Sequence, residues 1–164
     1  MQIKPTPLDA EAFKPFGEVL EDGANDRRPS PDAVLGDDRA SATPRVTVDR
    51  VPAVALPLEI AGMERHRHGS QTFVPMDVER YLIVVAPPTA GDVPDPSTIR
   101  AFVGSKGQGI TYRAGVWHVG MAALDREALF AVLTWKENGP RDTQLASLPR
   151  PVGIAFSHSR EIPE

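Results

Sequence analysis

The side chains able to move a proton or hold a metal at neutral pH are few and lie close together along the chain. His66 and His68 sit in the run Glu64-Arg65-His66-Arg67-His68, and His118 follows Val116-Trp117. Imidazole titrates near neutrality and binds divalent metals through either nitrogen, so His66, His68 and His118 could together ligate a metal, or one of them could carry a proton. A His-x-His pair on a strand projects both rings to the same side. His118 closes the spacing Gly107, five residues, Arg113-Ala114-Gly115, two residues, His118, in which a glycine turn reverses the chain and the next strand delivers one imidazole. The plainer alternatives are a solvated Arg-His-Arg-His stretch at a strand end and an ordinary glycine hairpin. The fourth histidine, His158, lies in the polar Ser157-His158-Ser159-Arg160 and reads as solvated.

Elements that position such residues must be short. The 164 residues include 17 prolines, about twice the usual ~5%, and 13 glycines. Proline breaks helix interiors and central strands, so this punctuation suits a barrel of short strands and argues against a helical bundle. With 41% apolar and 24% charged residues the chain has the composition of a folded domain, read as one unit over 1–164. A net charge of −4 without a basic run argues against nucleic acid as a partner, and the absence of cysteine excludes disulfides and thiolate chemistry. No stretch approaches the roughly 20 apolar residues of a membrane span. Met1-Gln2-Ile3-Lys4-Pro5 lacks a secretory apolar region, which makes the cytoplasm the expected location.

Residues 9–14 read as a short helix capped by Thr6 or Asp9 and stopped by Pro15. The polar stretch 21–43, with Val34 and Leu35 as its only larger aliphatic residues, is expected to be a long loop or lid. Val46, Val48 and Val51 are expected to share one strand face, and Leu58-Glu59-Ile60 leads into the histidine run. Thr72–Pro75, the fully buried Tyr81–Ala86, Ile110–Tyr112, Val116–His118 and Ala128–Trp135 read as further strands, with 96–103 open between helical turn and strand.

The spacing that ends at His118 resembles the second cupin motif, with Arg113 where proline is usual and Ala122 where asparagine is usual. The first cupin motif is poorly matched, because no glutamate follows the His66/His68 pair; Gln71 and Thr72 stand there. A longer pattern is more specific. Glu64-Arg65-His66-x-x-Gly69-Ser70-Gln71-x-Phe73-x-Pro75-Met76, then Val84-Val85-Ala86 and Pro94-Asp95-x-Ser97-Thr98-Ile99-Arg100-Ala101-Phe102, resembles the ureidoglycolate lyase family. So do Gly107-x-Gly109-Ile110-x-Tyr112-x-x-Gly115-x-Trp117-His118 and the opening Leu8-x-x-Glu11-x-Phe13-x-x-Phe16-Gly17-Glu18-Val19. These blocks keep their order over most of residues 1–136. The chain departs from the family at Asn25-Asp26-Arg27-Arg28, at His68, usually aliphatic, and at Val119, where a second histidine is common.

The resemblance implies a mainly β, cupin-like barrel or jelly roll with a few short helices, a homodimer, and release of urea and glyoxylate from ureidoglycolate in purine breakdown. It also implies room for a divalent metal ion, nickel or zinc, and no organic cofactor. For that small-molecule substrate His118 or His66 is the natural proton carrier, and Arg100 or Arg65 the carboxylate clamp. Gln71 and Ser70 would hydrogen-bond the ureido group, with Tyr112 joining the substrate-binding set. Each has a plainer alternative: Arg100 pairing with Asp95, a solvated Glu64-Arg65, and Tyr112 as barrel wall. Two other readings remain open. One is a metal-dependent cupin isomerase or dioxygenase using His66, His68 and His118. The other is a non-catalytic barrel binding a small carboxylate.

Overall fold

The computed structural model describes residues 1–21 and 34–156, and most of its elements are strands. In chain order they are β1 (Gln2–Ile3), β2 (Thr6–Pro7), helix α1 (Ala10–Phe13), β3 (Gly17–Leu20), β4 (Thr43–Val51), β5 (Leu58–Arg65), β6 (Gln71–Pro75) and β7 (Arg80–Ala86). A 3-10 turn (Pro96–Thr98) precedes β8 (Arg100–Ser105), β9 (Gly109–Tyr112), β10 (Trp117–His118), β11 (Ala122–Ala123), β12 (Ala128–Lys136) and β13 (Gln144–Ile154). One sheet runs β1-β13-β5-β10-β7-β8-β2 with β11 beside β7; the other runs β3-β9-β6-β12-β4. The sheets curl into a half-barrel, the mainly β, cupin-like architecture expected from the sequence. Among the described residues no helix is long and apolar enough to cross a membrane.

Strand β7 reads as an unbroken apolar run because both of its faces are covered. Tyr81, Ile83 and Val85 enter the cluster between the sheets with Phe73, Phe102, Ile110 and Phe130. Leu82, Val84 and Ala86 join Met63, Trp117 and Ile154 on the opposite face. Phe130 is fully buried and meets Tyr81 and Phe73 near edge-on, with centroids 5.2 and 6.2 Å away. Helix α1 starts where Asp9 Oδ1 accepts from the Ala12 backbone N–H at 2.9 Å. The stretch 96–103 contains both elements that its sequence left open, a turn capped by Asp95 and then β8.

Two strand expectations need correction. Val46 and Val48 do not face the core: they are 70% and 59% exposed, while Val51 is buried on the other face. Strand β4 is an edge that pairs only with β12 and extends past the core, so alternation along it does not report burial. The eleven-residue β13, which contains Pro149 and Pro151, was not among the expected strands. Both prolines are accommodated where the β13–β5 register shifts, between Ser147 and Val152, so neither need donate to a regular ladder.

Of the expected loop 21–43, residues 22–33 lie outside the described residues, and so does His158. Residues 36–39 are firmly held. Asp37 bridges to Gly69, and the buried Arg39 donates to Asp37 Oδ1 and Oδ2 through Nε and Nη2 at 2.9 and 2.7 Å. Chiefly through that hydrogen bond, the Asp37 carboxyl is held below its ordinary range. The folded state therefore resists protonating Asp37 more than the unfolded chain does. The resulting stability is complete above about pH 4 and is lost as pH falls through the folded value. Asp37→Asn should flatten the acid limb of a stability–pH curve from urea melts below pH ~4; an unchanged limb would count against this ion pair.

Candidate active site

Two strands and one strand end bring the central groups together. Glu64 is the penultimate residue of β5, and His118 ends β10 directly opposite it, with Val85 of β7 on His118's other side. Paired residues share a face, so Glu64 and His118 point between the sheets while their neighbours Arg65 and Trp117 point outward. The turn that delivers β10 uses Gly115 at φ +82°, a conformation that favours glycine, and the Gly115 N–H donates to the His66 carbonyl at 2.8 Å. That contact ties His66, just past β5, to the same place.

The two rings lie 5.3 Å apart. His66 Nδ1 bonds the Asp142 carbonyl at 2.8 Å and His118 Nδ1 bonds the Val116 carbonyl at 3.0 Å. A carbonyl only accepts, so each Nδ1 carries the proton. In the neutral rings each Nε2 is then a bare lone pair, and both Nε2 atoms are buried without a hydrogen-bond partner. Glu64 Oε1 stands 3.5 Å from His118 Nε2. Ligand atoms of Glu64, His66 and His118 all fall within 4.8 Å of one another. These donors could hold a divalent metal, and each Nδ1 is oriented as outer-shell partners orient metal-binding histidines.

The opposite sheet supplies the facing wall. Gln71 of β6 and Tyr112 of β9 are paired, and the Tyr112 ring stacks on His118 at 4.5 Å and 18°. Tyr112 Oη and Gln71 Oε1 are likewise buried without partners. A cavity of about 360 Å³ opens beside Glu64 and His118, bordered by Gly62, Val119, Gly120 and Leu145. Burial lowers the His66 pKa and so favours the neutral ring. Glu64 is held below the usual carboxylate range, chiefly by the hydrogen bond that His118 donates when Nε2 carries a proton, and burial pushes the Tyr112 hydroxyl well above its ordinary value, so it remains a donor.

His66, His118, Gln71 and Tyr112 thus meet, whereas the other expected residues lie elsewhere. His68 does not join the ligand cluster; its Nδ1 contacts Asp38 Oδ1 at 2.8 Å. The same-side expectation for His66 and His68 fails because β5 ends at Arg65 and strand alternation ends with it. Arg65 is turned to the outer face. Its guanidinium lies 4.3 Å from the centroid of Trp117 and donates to Gln144, the Thr89 and Gly91 carbonyls and Asp92. Ser70 Oγ accepts from the Gly36 N–H at 3.1 Å. Arg100 is exposed and donates to the Ile99 carbonyl at 3.0 Å, while Asp95 caps Ser97 instead of pairing with it. Through Val85 it shares the face of His118, two strands away.

Glu64 is the candidate ligand that sequence reasoning missed, because the carboxylate was sought after the histidines. Its signal was its place two residues before His66. Lys136, half-buried at the end of β12, also went unnoticed, and its charge contributes to lowering the Glu64 pKa.

A family model described as ureidoglycolate lyase matches residues 1–155. Ureidoglycolate lyase of Azotobacter vinelandii is 38% identical over 143 residues, covering 82% of this chain and 85% of that protein. Its namesake in Pseudomonas syringae pv. tomato is 34% identical over 146 residues, covering 81% and 82%. The Pseudomonas aeruginosa protein of that name is also 34% identical over 146 residues, covering 84% and 85%. With the family matched almost end to end and these relatives covered over most of their length, the chain belongs to the ureidoglycolate lyase family.

Proposed function

We propose that this protein is a lyase that cleaves ureidoglycolate to glyoxylate and urea. The observation that carries the reading, beside family membership, is the pair of buried, unpartnered Nε2 atoms facing Glu64. Cleavage breaks the hydroxyl O–H and the carbon–nitrogen bond, and forms a carbonyl and a new N–H on the departing urea. One proton moves and nothing is oxidised. His118 Nε2 takes the hydroxyl proton, Glu64 stabilises the imidazolium, and the same proton passes to the leaving nitrogen. Neutral His66 accepts a hydrogen bond through Nε2. Gln71 Oε1 accepts from the ureido N–H groups and Tyr112 donates to a substrate oxygen, while Arg100, two strands away on the face of His118, would have to leave the Ile99 carbonyl to reach the carboxylate.

Glu64, His66 and His118 also fit a divalent ion such as nickel or zinc, which when bound would polarise the hydroxyl and carboxylate oxygens. Assaying glyoxylate release from ureidoglycolate with and without chelator tests the reading. Activity that survives chelation and is lost in His118→Ala assigns proton transfer to His118, and activity lost on chelation and restored by one metal assigns the three side chains to that metal. Oxygen uptake without glyoxylate would overturn the lyase reading in favour of a dioxygenase.

The homodimer belongs to the same proposal and is supported by the exposed apolar face formed by Val46, Val48 and Val74 on the five-stranded sheet. Light scattering should give about twice the 17.8 kDa chain mass, and Val48→Lys should shift it to one chain; a monomeric parent protein would contradict this. Within this reading the enzyme acts in the cytoplasm, in allantoin and purine catabolism.

A further inference from the structure

His66 stands just past the end of β5, where no ladder fixes its ring. Its Nδ1 is held by the Asp142 carbonyl at 2.8 Å, with Thr143 Oγ1 a weaker neighbour at 3.5 Å. That carbonyl is in turn aimed by Asp142's own side chain. Oδ1 accepts from the Glu137 N–H at 2.9 Å, and Oδ2 from the Asn138 and Gly139 N–H groups at 2.9 and 3.3 Å, so one carboxylate closes the connection between β12 and β13. Arg39 Nη1 then donates to Asp142 Oδ1 at 2.8 Å and to Glu137 at 3.2 Å, while Nε and Nη2 hold Asp37. All four side chains are largely shielded from solvent. A planar guanidinium can serve three carboxylates at once; an ammonium lacks that fork.

We infer that Arg39 and Asp142 are positioning residues for the reaction, acting through the Asp142 carbonyl to fix the His66 ring with Nδ1 protonated and Nε2 aimed into the cavity. Neither touches the reacting atoms. The inference rests on the functional reading only in taking His66 as part of the active centre.

The test compares ¹⁵N-labelled full-length parent protein with Arg39→Met, Arg39→Lys and a destabilising control that leaves the Arg39–Asp142–His66 contacts untouched, Tyr81→Phe, which loses the hydrogen bond to the Gln108 carbonyl. Imidazole ¹⁵N spectra report which nitrogen of His66 is protonated, whatever the substrate. In the parent Nδ1 should carry the proton. In Arg39→Met the resonances should shift toward mixed tautomers, with kcat lowered about 10- to 100-fold and KM little changed, as for other outer-shell partners. Arg39→Lys should fall between, and it keeps the test alive if the Met variant does not fold. Tyr81→Phe should lower the melting temperature without moving the His66 resonances. An unchanged His66 tautomer in folded Arg39 variants, or a kcat loss that Tyr81→Phe reproduces at equal melting temperature, would overturn the inference. Parent protein inactive on ureidoglycolate, with the tautomer shift intact, would refute the functional reading and leave this one standing.

Discussion

Replacing His118 by glutamine should lower kcat/KM for glyoxylate release about 10³-fold, with little change in melting temperature. A positioned general acid–base group is typically worth 10²- to 10⁴-fold, and 10³ corresponds to about 4 kcal/mol of transition-state stabilisation. His118 is placed for that role on every side: Val116 holds Nδ1, Tyr112 stacks on the ring, and Nε2 faces Glu64. Glutamine keeps a polar group of comparable reach but cannot take and return a proton. Steady-state kinetics with circular dichroism checks the expectation. A variant within tenfold of the parent would reduce His118 to a packing partner of Tyr112.

Arg65→Met should cost about 3 kcal/mol of stability while leaving KM of the folded enzyme unchanged. Hydrogen bonds from a buried charged donor contribute roughly 1.5–3 kcal/mol each, and truncation leaves their acceptors unpaired. Arg65 is 2% exposed, and its removal strands the Thr89 carbonyl, takes one of two donors from Gln144 Oε1 and from the Gly91 carbonyl, and uncovers Trp117. Urea unfolding measures the loss. If stability held and KM rose instead, Arg65 would be the carboxylate clamp that its place beside His66 suggested.

That contrast shows what residue order conveys and what it leaves out. Glycine spacing before His118 conveyed a local event, a turn and a short strand, and the structure has both. The family blocks likewise brought Gln71, Tyr112, His66 and His118 into one account. Which way Arg65 points depends on where β5 ends and on what covers its outer face, and neither is written near Arg65. His68 failed for the same reason: two-residue alternation is a property of a strand, and the strand had stopped. Glu64 was in plain view but became legible as part of the site only through its pairing with His118 across β5 and β10. Asp142 contributes a main-chain carbonyl, which no side-chain pattern can mark. Strand β13 was hidden because its prolines fall where the register shifts.

The most direct test is a crystal structure of the protein soaked with glyoxylate. The account predicts glyoxylate between the two sheets, with oxygen atoms within hydrogen-bond or coordination distance of His66 Nε2 and His118 Nε2, and Gln71 or Tyr112 as a further partner. Glyoxylate bound elsewhere at saturation, with those nitrogens facing only water, would contradict it.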